Sequence, residues 1–145
     1  MRVALETLAT RTAMEHLTKN DLQHAEKALD AIDREKNLAA KGADHDWIFH
    51  ASLYSPSGWT HLLASIKTQH RNFDRFICVH LDLTDYRKKA QQEHRRLLEL
   101  CRRREVKPAV ALLSSHIRDI GEIVFSQIEK APENQRGEKM SARGK

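Results

Sequence analysis

The chain has 145 residues, enough for one domain with its own core, and its 40% apolar and 31% charged residues suit a helix-rich, water-facing protein. Five glycines and three dispersed prolines are too few for the turns of a sandwich or barrel, and no apolar run approaches the roughly 18 residues of a membrane span. The net charge of +5 is diluted by 20 acids, and no aromatic or glycine-rich nucleic-acid motif accompanies it.

From Arg2 to about Thr18 the positions Leu5, Leu8, Ala9, Thr12, Ala13, His16 and Leu17 recur at three- and four-residue steps, which predicts an amphipathic helix. Asn20 and Asp21 can cap a second helix with the stripe Leu22, Ala25, Ala28, Leu29 and Ile32. The short connection predicts that these two are antiparallel neighbours. Leu38 to Gly42 reads as a loop, and Asp44 as the N-cap of a third helix ending near Ser55, because Pro56 disfavours helical geometry at the residue before it. A long helix follows from about Trp59 to His80, with Leu62, Leu63, Ile66, Phe73, Phe76 and Ile77 inward. Thr84 and Asp85 open the next, which runs to about Arg104 through Leu97, Leu98 and Cys101. Arg102-Arg103-Arg104 then reads as a solvated, dipole-complementing helix end. Pro108 fits the first turn of the last helix, which carries Val110, Leu113, His116, Ile117, Ile120, Val124 and Ile128. The expectation is an all-α antiparallel bundle of six or seven helices over residues 1–130. Residues 131–145 lose almost all apolar character and are expected to form a disordered basic tail. Cys78 and Cys101 are too few and too far apart for a zinc knuckle or redox pair. They fit a reducing cytosol, and the N-terminus shows no signal-peptide pattern, so a cytoplasmic location is expected.

Chemistry concentrates at Asp46-Trp47-Ile48-Phe49-His50. Residues four apart on a helix share a face, so Asp46 and His50 point a carboxylate and an imidazole at one patch. Turned toward a core beside Trp47 and Phe49, such groups need each other, water or a cation. The last two helices form a hairpin turning near Glu105, with His94 eleven residues before it and His116 eleven after. Positions equidistant from the turn lie side by side, so these imidazoles should meet about 16 Å from it at about 1.5 Å rise per residue. One carboxylate and three imidazoles around a point suit zinc or another first-row divalent metal. The alternative is that the histidines merely pack, since a single inward histidine is more often a hydrogen-bonded core residue. His16, His24, His45, His61, His70 and His80 show no partner pattern.

The opening Arg2-Val3-Ala4-Leu5-Glu6, the segment Asp46 to His50, Glu93-His94-Arg95 and Ala109 through His116-Ile117 resemble, in order and spacing, the C-terminal effector (FCD) domain of the FadR-like branch of GntR-family transcription regulators. The resemblance runs to about residue 130. It implies a six- or seven-helix antiparallel bundle, a metal held by Asp46, His50, His94 and His116, and a small organic acid as effector. Zinc is the first expectation, with nickel and manganese as others. It also implies an anion-holding arginine at Arg2, while Arg75 and Arg71 on the long helix are further candidates. Trp59 stands where such domains often have asparagine, and is expected to reshape the turn or narrow the cavity. The winged-helix DNA-binding domain of the family is missing from this chain, so DNA contact is expected only through such a domain. The resulting expectation is a non-enzymatic, metal-containing effector sensor that works as a homodimer. Its rivals are a helical metal-dependent hydrolase and a purely structural bundle.

Overall fold

The computed structural model describes residues 1–35, 43–80 and 84–130. They form six α-helices and no strand: α1 (Arg2–Ala13), α2 (Lys19–Arg34), α3 (Ala43–Tyr54), α4 (Thr60–His80), α5 (Thr84–Arg102) and α6 (Val106–Lys130). The expected loop at 38–42 and tail at 131–145 lie outside the described residues, as do the side chains of Arg75, Phe76, Ile77 and Ile128. No described helix is long and apolar enough to cross a membrane.

Local chemistry sets the breaks. Thr18, not Asn20 or Asp21, caps α2: its backbone is extended, its hydroxyl accepts from the Asp21 N–H, and the Asp21 carboxylate accepts from the Thr18 N–H. This reciprocal capping box satisfies two backbone donors at once. Asp44 lies within the first turn of α3 rather than ahead of it. After Tyr54 the segment Ser55–Ser57 winds into a 3-10 turn around Pro56, and Gly58 closes it with φ +71, a conformation that suits a residue without a Cβ.

α1 packs against α3, α4 and α6, while α2 packs on α3 and α5, and α5 on α6. The expected α1–α2 pairing is thus replaced: the extended break at Thr18 frees α2 to lay its small buried stripe, Ala25, Ala28 and Leu29, against other partners. Arg95 on α5 bonds Asp30 and Asp33 of α2 at 2.8 and 2.6 Å, and Arg102 bonds Glu26 at 2.8 Å. Such partly exposed pairs contribute about 0–1 kcal/mol each and set register more than stability. The core comprises Ala9, Met14, Leu17, Leu29, Phe49, Leu53, Tyr54, Ile66, Leu97, Leu98, Cys101 and Leu113. The inner face of α1 also differs from its apolar pattern. Glu6, Ala9, Thr10 and Ala13 are buried, whereas Leu8 is 41% exposed and His16 lies outside the helix, exposed. The buried Glu6 accepts from Tyr54 of α3, a contact that requires this face of α1 to turn inward.

Arg104 is not simply a solvated end. It adopts φ +59 just past α5, and its guanidinium donates to the carbonyls of Met14 and Leu17 beyond the end of α1. It therefore ties the α5–α6 turn to the α1–α2 connection. Replacing Arg104 by alanine is expected to lower stability by about 1–2 kcal/mol in urea unfolding, because two backbone acceptors lose a charged donor. Arg103→Ala, at an exposed neighbour, is expected to stay within about 0.5 kcal/mol.

Candidate metal centre

Four helices aim side chains at one point. α3 carries Asp46 and His50 one turn apart, α5 carries His94, α6 carries His116, and α4 adds His70. The Nε2 atoms of His94 and His116 lie 3.1 Å apart. Asp46 Oδ1 is 3.5 Å from His94 Nε2, and its Oδ2 is 3.3 Å from His70 Nε2 and 3.9 Å from His50 Nε2. One donor atom each from His50, His94 and His116 falls within 4.8 Å of the others, and the same holds for Asp46, His50 and His70. The four imidazoles are buried, whereas Asp46 is partly exposed. Phe49 packs against His50 and His94 with ring centroids 5.0 and 4.9 Å apart, and Trp47 meets His70 edge-on at 5.4 Å. These rings keep bulk water from the donors, so charge there interacts strongly.

A second layer orients the first. His116 Nδ1 faces Glu93 Oε2 at 2.7 Å, and His70 Nδ1 faces Asp74 Oδ2 at 2.8 Å. Tyr54 donates its hydroxyl to Glu6 Oε2 at 2.8 Å, so its oxygen accepts from His50 Nδ1 at 3.1 Å. Glu6 in turn accepts from Arg2 Nε at 2.7 Å. In each case Nδ1 carries the outward hydrogen bond and Nε2 is left pointing inward, the arrangement in which a histidine presents a lone pair to a cation. Burial pushes the Tyr54 hydroxyl well above its usual range, reinforced by the Glu6 carboxylate, so it stays a donor.

Electrostatics favours that state at His50 and His94. Burial, together with the surrounding imidazoles and against the pull of Asp46, holds His94 down at about 4 and His50 well below its ordinary value. Burial works against the Asp46 charge, but His94, His70 and His50 outweigh it and keep the carboxyl well below the usual carboxylate range. Burial also opposes a charged His70, yet Asp46 and Asp74 on either side raise it to about 9. Neutral His50 and His94 beside an ionised Asp46 offer the protonation states that metal binding requires. His70 Nε2 and His94 Nδ1 are buried without a well-directed hydrogen bond. The Nε2 atoms turned toward the Asp46 carboxylate form with it a donor set of nitrogen and oxygen that fits a first-row divalent cation.

Asp46, His50, His94 and His116, chosen from sequence, thus come together. Arg2 is held by Glu6, its guanidinium lies 4.9 Å from the Phe73 ring centroid, and the Asp46 charge acts on it. Arg75 falls outside the described side chains, and Arg71 is exposed. Trp59 is 51% exposed, at the surface rather than in the interior. His16, His24 and His61 are exposed and stand apart, but His70 belongs to the cluster although no pattern singled it out. The available signal was Asp74, one helical turn beyond His70, the mirror of the Asp46–His50 spacing. Glu6 and Tyr54 were also missed, since their partnership spans 48 residues. Tyr54→Phe is expected to cost about 1–3 kcal/mol in chemical unfolding, because Glu6 and His50 each lose a buried partner.

Among curated proteins none matches this sequence. Among solved structures, a transcriptional regulator, a GntR family member, from Pseudomonas syringae pv. tomato str. DC3000 superposes with a TM-score of 0.73 at 22% identity, over 89% of this chain and 55% of that one. E. coli McbR/YncC gives a TM-score of 0.71 at 18% identity, over 88% of this chain and 62% of that one. The chain therefore spans between half and two thirds of the length of these proteins, and likeness at such identity establishes the shared helical fold. The sequence profile described as the FCD domain matches residues 1–119. By that match the chain belongs to the FCD domain family.

Proposed function

We propose that this chain is the effector-sensing domain of a transcription regulator, holding a divalent metal through Asp46, His50, His94 and His116 and binding a small organic acid beside it. The observation that carries this reading is the inward convergence of Nε2 atoms whose Nδ1 partners are already fixed by Glu93 and by the Tyr54–Glu6 pair. Zinc suits a donor set rich in imidazole, with nickel or manganese as other occupants. A metal in this setting supplies a Lewis-acidic position that takes a carboxylate oxygen.

The role is binding rather than turnover. Each carboxylate around the cluster has a partner: Glu6 with Arg2 and Tyr54, Glu93 with His116, Asp74 with His70. They are placed to orient the donors. Arg2 is the residue assigned to hold the effector's carboxylate, and it is tied to the site through Glu6. Regulation then works through a cytoplasmic homodimer in which the effector prefers one subunit arrangement, since coupling requires different affinity in two states. Contact with DNA belongs to the winged-helix domain of such a regulator rather than to this helical domain.

Elemental analysis of purified protein reconstituted with zinc or nickel tests the reading. The expected result is about one metal per chain, lost in His94→Ala and His116→Ala, which each remove one of the convergent nitrogens. Free metal at about 100 times its Kd should raise stability by about 2.7 kcal/mol, read as a higher Tm that a chelator reverses. Absence of metal from the reconstituted protein would overturn the metal assignment. Organic acids are then screened by thermal shift on the loaded protein.

A further inference from the structure

We propose that His70, held by Asp74, is a fifth protein donor to the metal, so that the centre is built from four imidazoles and one carboxylate. The proposal rests on the metal reading above and extends it to a residue outside the expected set. His70 is 1% exposed and its Nε2 is buried without a well-directed hydrogen bond. That nitrogen lies 3.3 Å from Asp46 Oδ2, and it falls within 4.8 Å of donor atoms of both Asp46 and His50. The His50 and His70 rings are 5.5 Å apart, comparable with the 4.9 Å between His50 and His94 and the 6.0 Å between His50 and His116.

The support behind the ring points the same way. Asp74 accepts from His70 Nδ1 at 2.8 Å, matching the 2.7 Å contact between Glu93 and His116 Nδ1. A carboxylate behind a histidine fixes the ring and raises the basicity of the opposite nitrogen, and such supports matter to metal affinity. Trp47 fixes the ring from one side. Going from three imidazoles to four favours zinc, nickel and cobalt over manganese, which takes carboxylate and carbonyl oxygens more readily.

The test uses Co(II), whose visible d–d bands report the number and kind of donors, on the full chain and on His70→Asn. Expected is about one Co(II) per chain in both proteins, with d–d bands altered in the variant by the loss of one nitrogen donor. Its affinity should be lower by more than the about 10–100-fold that loss of an outer support costs. A fall within that range with unchanged bands would overturn the proposal. Mn(II) affinity should fall less. A parallel measurement needs no substitution: in the unaltered protein, Zn(II) should shift the ring nitrogen resonances of His70 together with those of His50, His94 and His116. An unchanged Co(II) spectrum and affinity in His70→Asn, or a His70 ring unaffected by Zn(II) while the other three respond, would overturn the proposal and leave the four-donor centre intact. Failure of the unaltered protein to bind either metal would overturn both readings together.

Discussion

The structure depends on how Asp46 is compensated. Its two oxygens lie within 3.3 to 3.9 Å of three imidazoles delivered by three helices. An ionised carboxylate only partly open to water is costly unless positive or hydrogen-bonding groups meet it. Compensation therefore requires α3, α4 and α5 to arrive at one point, and His116 brings α6 to the same place through His94. Four helices share one electrostatic problem, so displacement of any of them is felt at the cluster.

The same logic extends outward to the first helix. Arg2, Glu6, Tyr54 and His50 form an unbroken run of polar contacts from the start of α1 to the donor nitrogens. Glu6 is fully buried, and it is tolerable there because two donors meet its two oxygens. The ring orientation of His50 is thereby tied to the position of α1. Such a run links the donor nitrogen of His50 to the start of α1 through hydrogen bonds of defined geometry.

Much of this was legible in the chain. Six helices follow from three- and four-residue periodicity, from proline at Pro56 and Pro108, and from the scarcity of glycine. The approach of His94 to His116 follows from their equal distance to Glu105, because an antiparallel hairpin converts equal separation along the chain into equal height. Less legible was α1, whose apolar positions suggested a face including Leu8 and His16. The true inner face contains Glu6, a residue that composition alone assigns to solvent. Arg104 was read as surface charge, yet it holds carbonyls 87 and 90 residues away.

The amino-acid sequence determined the elements and the local pairs, since helix periodicity, capping and i,i+4 spacing act over a few residues. Asp46 with His50, and His70 with Asp74, are pairs of that kind. Tertiary packing alone decided their neighbours: His50 groups with His94 and His116, while His70 groups with Asp46 and His50. Periodicity states what one helix presents on a face, but the neighbour that the face meets depends on how every helix shares the buried volume. His70 lies 20 residues from His50 and 24 from His94 along the chain, separations that carry no spacing rule, and only the assembled bundle brings its ring to 5.5 Å from that of His50.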